Sequence, residues 1–291
     1  MISVLRNGAL VLATILFSIV STARAQPVFT DAFSTAHAYT AGTAGEYTVK
    51  DENDAFKSTW TAGGGLLTYS RPPSDTDPNG YRYNSSVFLS AGLSPATGST
   101  VGLVKFVVKG SIHGIFADNT AQPGLIVSAS IEEGGYLLAV DNQRGGHFAL
   151  LSVSGSELMA DEGSGGAHHV VHEFLNPVQG HDYGLSVTVD RSGAHPAFDV
   201  AITDLGVAGS TVRYVFSDPT RDSTFGGTQI GYRVRNPLDG QRPTFGALSL
   251  TVVPEPTATA FCALAIASLL LRPDRSTRRV ARTLGSPSTL R

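Results

Sequence analysis

Cysteine is almost missing from this chain. The one present, Cys262, rules out an internal disulfide scaffold and cysteine-rich metal knuckles. Charged residues are also scarce, at 15% of 291, and they are unevenly placed. Residues 26–253 hold 13 Lys and Arg against 22 Asp and Glu, whereas the two ends hold eight Arg against two acids. An acidic body argues against a nucleic-acid partner, because phosphate binding needs a basic face. Sustained helical periods are absent from the body, which fits 32 Gly and 15 Pro. No Gly-X-Y period and no longer repeat is present, so collagen, propeller and solenoid architectures are set aside. What remains, 42% hydrophobic and 8% aromatic, is too apolar for a disordered chain.

The two ends read as addresses. In residues 1–25, Arg6 supplies a positive start and an apolar stretch from Ala9 to Val20 follows. Ala23-Arg24-Ala25 then puts small residues at the −3 and −1 positions before Gln26, the pattern of a secretory signal peptide cut by signal peptidase. An uncleaved anchor is the alternative, although the run is shorter than the roughly 20 residues of a spanning helix. The mature chain is therefore expected outside the cytoplasm, stabilised by core burial, bound ions or both.

The other address spans 253–291. Val253, Pro254, Glu255 and Pro256 precede an apolar run, 257–271, and a basic tail, 272–291, containing Arg272, Arg275, Arg278, Arg279 and Arg282. Two prolines around a glutamate make an extended segment open to a processing enzyme. At about 1.5 Å per residue the apolar run reaches about 22 Å against a hydrocarbon core of about 30 Å, which suits a transient stop held by arginines on the cytoplasmic side. An ordinary tail anchor behind a Pro-rich linker is the other reading. The segment resembles the PEP-CTERM sorting signal of Gram-negative bacteria. That resemblance implies recognition by an exosortase, transient inner-membrane insertion, cleavage near Pro254-Glu255-Pro256, and release or attachment at the cell surface. It also implies association with extracellular polysaccharide.

Between the addresses, residues 26–252 read as one all-β domain. Short β-branched and aromatic runs alternate with Gly, Pro, Asn and Asp clusters: 101–109, 125–131, 136–140, 147–153, 168–174, 183–190, 198–202, 212–216, 229–234 and 247–252. The clearest is Tyr183–Asp190, where Tyr183, Leu185, Val187 and Val189 share one face and Gly184, Ser186, Thr188 and Asp190 the other. A turn at Arg191-Ser192-Gly193 leads into Phe198, Val200 and Ile202, and Glu132-Glu133-Gly134-Gly135 reads as a second hairpin. Ten or more strands predict an antiparallel two-sheet sandwich. The pattern resembles the concanavalin A-like or laminin-G-like jelly rolls. Phe29–Phe33 stands where such domains open with D-x-F, 184–190 with 198–202 forms the central hairpin, and 246–252 is the closing strand, expected beside the first.

Candidate sites each have two readings. Asp75, Asp77 and Asn79, with Gly80, match the first half of a calcium loop, but position twelve is Ser86, and an Asx-rich turn explains the same residues. Asp51-Glu52-Asn53-Asp54 is a charged loop or, by the laminin-G resemblance, part of a structural calcium site. His168, His169, His172 and Glu173 could be zinc ligands on a helix, but on a strand His168 and His172 would lie about 13 Å apart. Trp60, Tyr69, Tyr81 and Tyr83 could stack on sugar rings or pack in the core, with Tyr81 and Tyr83 on one side of a strand. The E-x-D-x-x-E string of sandwich glucanases and a G-x-S-x-G elbow are both absent, and Cys262 sits in the apolar tail. Glu132-Glu133 and Asp161-Glu162 read as turn polarity. Three functions stay open: a non-catalytic exported protein associated with polysaccharide, an extracellular carbohydrate-active enzyme, or a structural surface protein. No catalytic residue is assigned.

Overall fold

The structure, a computed structural model, describes residues 26–40, 47–51, 58–70, 84–89, 99–114, 122–130, 132–141, 146–155, 169–207, 210–235 and 242–254. The elements among them are strands: β1 (Gln26–Asp31), β2 (His37–Thr40), β3 (Tyr47–Asp51), β4 (Thr59–Gly63), β5 (Leu66–Ser70), β6 (Asn84–Leu89), β7 (Lys105–His113), β8 (Gln122–Ser130), β9 (Gly134–Asp141), β10 (His147–Val153), β11 (His169–Glu173), β12 (Tyr183–Asp190), β13 (Ala197–Asp204), β14 (Ser210–Ser217), β15 (Gln229–Arg235), β16 (Thr244–Phe245) and β17 (Leu248–Val252). They form two antiparallel sheets. The ten-stranded sheet runs β14-β13-β12-β7-β16-β5-β4-β2, with β17 also on β7 and β1 on β17; the seven-stranded sheet runs β11-β10-β9-β8-β15-β6-β3. The chain is an all-β sandwich, and its closing strand pairs with its opening one, Gln26 against Val252. Ala25–Val253 makes one compact unit.

Alternation becomes layering. The odd-numbered residues of β12 and the even-numbered ones of β13 point into the core, buried alternately along both strands. Between the sheets lies one large apolar cluster that includes Trp60, Phe106, Val108, Phe148, Val187, Phe198, Tyr232 and Phe245. The three strands β8, β9 and β10 differ, because both of their faces are buried. Ile126, Leu137, Ala149, Leu151 and Val153 form a second apolar cluster on the face turned away from the first. Such strands lose the polar half of the alternation and read as continuous apolar runs.

Three local devices set the geometry. Asp31 Oδ1 accepts the Phe33 N–H (2.7 Å), and Asp31 Oδ2 accepts the Tyr47 hydroxyl (2.8 Å). This holds Phe33 at φ 49°, 1% exposed, and gives the D-x-F opening a physical meaning. The expected Glu132–Gly135 turn is present, with Gly134 and Gly135 at φ 77° and 149°, where a Cβ would strike the Val153 and Ser128 carbonyls. Tyr232, 0% exposed, reaches from the seven-stranded sheet to the other one. Its hydroxyl accepts the Ser111 N–H (3.3 Å) and donates to the Gly246 carbonyl (2.9 Å). Burial pushes this phenol well above its ordinary titration range, so it stays a donor. Gly110 makes room for it, since a Cβ there would overlap the Tyr232 hydroxyl.

The run expected at 101–109 is displaced. Val101–Val104 turns, and the strand starts at Lys105 and continues through Gly110 to His113. Tyr232→Phe should lower stability by about 1–3 kcal/mol, because it leaves the buried Ser111 N–H and Gly246 carbonyl without this partner. Urea unfolding measures the loss, and an unchanged midpoint would show that the cross-sheet bond is idle.

Candidate functional site

The outer face of the ten-stranded sheet is built from the residues that alternate with the core. Across it, hydrogen-bonded register sets Thr211 beside Thr203, Thr203 beside Gly184, and Gly184 beside Ser111. Beyond Ser111 comes Gly246, whose N–H donates to the Ser111 carbonyl (3.1 Å). The Thr203 and Thr211 hydroxyls bond each other at 2.9 Å. Two residues along, Ser249, Lys109, Ser186, Ala201 and Arg213 form a parallel row. The described part of this face thus carries hydroxyls, glycines and ion pairs rather than aromatic rings.

One end of β7 carries a connected trio. Ser111 Oγ lies 2.9 Å from His113 Nε2, and His113 Nδ1 lies 2.9 Å from Asp182 Oδ2. The two side chains are neighbours because residues i and i+2 share a strand face. Asp182 stands just before β12, alongside, and its other oxygen accepts the Gly114 N–H (2.9 Å). Burial opposes ionisation of Asp182, but the bonds from His113 and Gly114 outweigh it and hold the carboxyl below its ordinary value. An ionised Asp182 fixes the proton on Nδ1, which leaves Nε2 to accept the serine hydroxyl. The side chains of His113 and Asp182 are 25% and 44% exposed, so the trio meets solvent. A Cβ on Gly246 would overlap Ser111 Oγ and crowd His113 Nε2, so only glycine fits there.

Several other polar groups form pairs. Lys105 Nζ bonds Asp190 (2.7 Å), Arg213 pairs with Asp199, and His181 bonds Asp204 (2.7 Å). At the other end of the sandwich, Tyr136 donates to Asp218 (3.1 Å) and Arg191 to Ser128 Oγ (2.8 Å). Asp218 also accepts the Thr220 hydroxyl, and Ser128 donates to the Gly227 carbonyl, so this cluster ties down the chain between β14 and β15.

The sequence-derived sites meet different fates. Trp60 is fully buried against Tyr69 (5.3 Å) and Phe245 (5.5 Å), which removes it from any sugar-stacking platform. Tyr69 is buried likewise. Tyr81, Tyr83, Asp75, Asp77 and Asn79 lie outside the described residues. Asp51 is buried at the end of β3, where Oδ2 accepts the Ser58 N–H (2.8 Å). His169 and His172 lie on a strand, and His172 stacks on Phe216 at 4.5 Å. Among the described residues no group of three His, Cys, Asp or Glu is placed to hold a metal ion. Glu132 and Glu133 are exposed in their turn. The Val253 N–H bonds the Lys105 carbonyl (3.1 Å) and Pro254 is exposed. Glu255, Pro256, Arg272, Arg275, Arg278, Arg279 and Arg282 lie outside the described residues, as do 1–25.

No protein-family model matches the chain, and no curated protein matches it. Among solved structures it is similar to a seed lectin isoform of Lotus tetragonolobus, at 12% identity over 76% of this chain and 100% of that one, with a TM-score of 0.46. Lectin II from Ulex europaeus gives 8% identity, 77% and 97% coverage and a TM-score of 0.47. The potassium-bound carbohydrate recognition domain of Emp46p gives 11%, 70%, 88% and 0.45.

Sequence reasoning missed Ser111, His113 and Asp182. A Ser-x-His pair on a strand was the available signal, but Asp182 joins it only through the β7–β12 register. The pairs along the sheet also predict a pH response. Hydrogen bonds from Lys105 and then Ser192 hold Asp190 near pKa 2 against an ordinary 3.8. Its stabilising contribution is present above about pH 3.8 and is lost as the pH falls toward 2. Asp190→Asn should flatten the loss of stability between those values in urea titrations, and an identical slope would sink the assignment.

Proposed function

We propose that this is an exported β-sandwich, processed by an exosortase at its Val253–Pro256 motif and held at the cell surface or in the matrix. There the outer face of the ten-stranded sheet meets extracellular polysaccharide. The observation that carries the polysaccharide half is that face itself. Its Thr211, Thr203, Ser111, Ser186 and Ser249 side chains alternate with residues that point into the core, so they are turned toward solvent by the same period that builds the sandwich. Hydroxyls and ion pairs suit a ligand that offers many hydroxyl donors and acceptors, and the flanking glycines let it approach the backbone. The export half is supported by the two terminal addresses and by a body that needs no disulfide. Pro254, exposed directly after the bond from Val253 to β7, leaves the start of the motif open to an enzyme. The described residues supply no built calcium site, so a structural ion would rest on 75–79 or on the 51–54 cluster.

Protein recovered from outside the producing cells should begin at Gln26 and end near residue 254, as intact mass would show. Full-length protein in the cytosol would refute export. Retention on that organism's extracellular polysaccharide should drop at least about tenfold in a Thr203→Leu/Ser186→Leu variant with an unchanged unfolding midpoint. Equal retention by the variant would show that this face is not the contact surface.

A further inference from the structure

The polysaccharide reading uses Ser111 only as one hydroxyl of the outer face and does not use its arrangement with His113 and Asp182. A serine hydroxyl, an imidazole whose Nε2 can receive its proton, and a carboxylate on the far ring nitrogen are joined by two bonds of 2.9 Å. Three features around the trio match a nucleophile rather than a surface hydrogen bond. First, the serine is held from below, since its N–H bonds the Tyr232 hydroxyl and its carbonyl accepts the Gly246 N–H. Second, Gly246 closes one side so tightly that a side chain there would displace the pair. Third, the opposite side carries no side chain of its own. Gly184 lies beside Ser111 on the same face, and the atoms nearest to a Cβ built on it belong to Leu205 and Thr203, at 3.5–3.9 Å, ordinary contact distance. The groups beside the serine here are thus a leucine methyl and a threonine.

We infer that Ser111 is a nucleophile activated by His113 and positioned through Asp182, and that it cleaves carboxylic esters with short acyl groups. The acyl size follows from Leu205 and Thr203, which stand 3.5–3.9 Å from a Cβ built on Gly184 and leave no room for a long chain on that side. An ester fits better than an amide because its alkoxide leaves without the prior protonation that an amine needs. The step balances. Ser111 Oγ bonds to the acyl carbon while its proton passes to His113 Nε2; the ester C–O bond breaks, and the departing alcohol takes that proton. Water then bonds to the acyl carbon as its proton passes to His113 Nε2; the Ser111 Oγ–acyl bond breaks, Oγ takes that proton back, and the carboxylic acid leaves. Nothing is oxidised or reduced. His113 is the base in contact with the reacting atoms, and Asp182 is a positioning residue that fixes the imidazole tautomer.

The probe is an alkyl fluorophosphonate on the purified full-length chain, with the modified peptide located by mass spectrometry, and p-nitrophenyl acetate as the turnover substrate. Labelling at Ser111 is expected, together with a loss of at least about 100-fold in hydrolysis for Ser111→Ala and His113→Gln. Asp182→Asn retains an acceptor for Gly114 but turns a donor toward Nδ1, so kcat should fall at least about 100-fold with KM unchanged. Gly184→Ala, whose Cβ makes only ordinary contacts with Leu205 and Thr203, adds bulk beside the serine and should slow labelling while circular dichroism and the unfolding midpoint stay at wild-type values. Absence of label from Ser111 in the folded wild-type chain, or hydrolysis unaltered by Ser111→Ala, overturns the inference. Labelling needs no mutant to fold, and it is independent of polysaccharide retention, so either proposal can fail alone.

Discussion

The hydroxyl of Tyr232 is the point on which the upper half of the sandwich depends. It is the polar tip of a side chain otherwise sunk in apolar packing, stacked at 4.5 Å on Phe245, and it bonds backbone of β7 and of the joint between β16 and β17 in the opposite sheet. A buried hydroxyl left unpaired would be costly, so its partners fix where β7 and the β16–β17 joint must lie. From that follow the vacancy at Gly110 and the height at which Ser111 sits above the core. Asp31 and Phe33 brace the same region from below, with Phe33 6.4 Å from the Tyr232 ring. One phenol thus joins the packing of the interior to the layout of an exposed polar surface.

The two faces of β7 divide the work. Phe106, Val108 and Ile112 go into the core, each 1% exposed or less, and Lys105, Val107, Lys109, Ser111 and His113 stay outside. Since the inner set is locked by packing, the outer set has little freedom in position. This is how a sheet can hold a serine and a histidine at bonding distance without a dedicated loop. The carboxylate comes from the residue just before the neighbouring strand, so the geometry also depends on a full ladder, Tyr183–Asp190 against Lys105–Ile112.

Fold class was legible because period two is a local property. Tyr183–Asp190, His147–Val153 and Gln229–Arg235 stand out wherever apolar residues alternate or cluster between turn residues. The N-terminal strands β2–β6 were not, because they are short and, in stretches such as TWTAG, Ala and Gly dilute the strand preference of Thr and Trp, so order comes only with pairing. Gly110 misled in a particular way. Read locally it ends a strand, and its reason for being there, a tyrosine 122 residues later, is invisible without the fold. That single misreading cut the strand before Ser111 and hid the site. Trp60 was open to a stacking or a core reading, and the alternation of β4 decides for the core by turning it inward.

The pairing of Gln26 with Val252 has a further consequence. It brings the first and last residues of the body to one corner, next to Lys105, where β7 begins. Ser111 lies six residues further along that strand, about 20 Å away. A leash fastened at either extremity would therefore grip the sandwich by one end and turn the serine and its partners outward, at the limit of its reach.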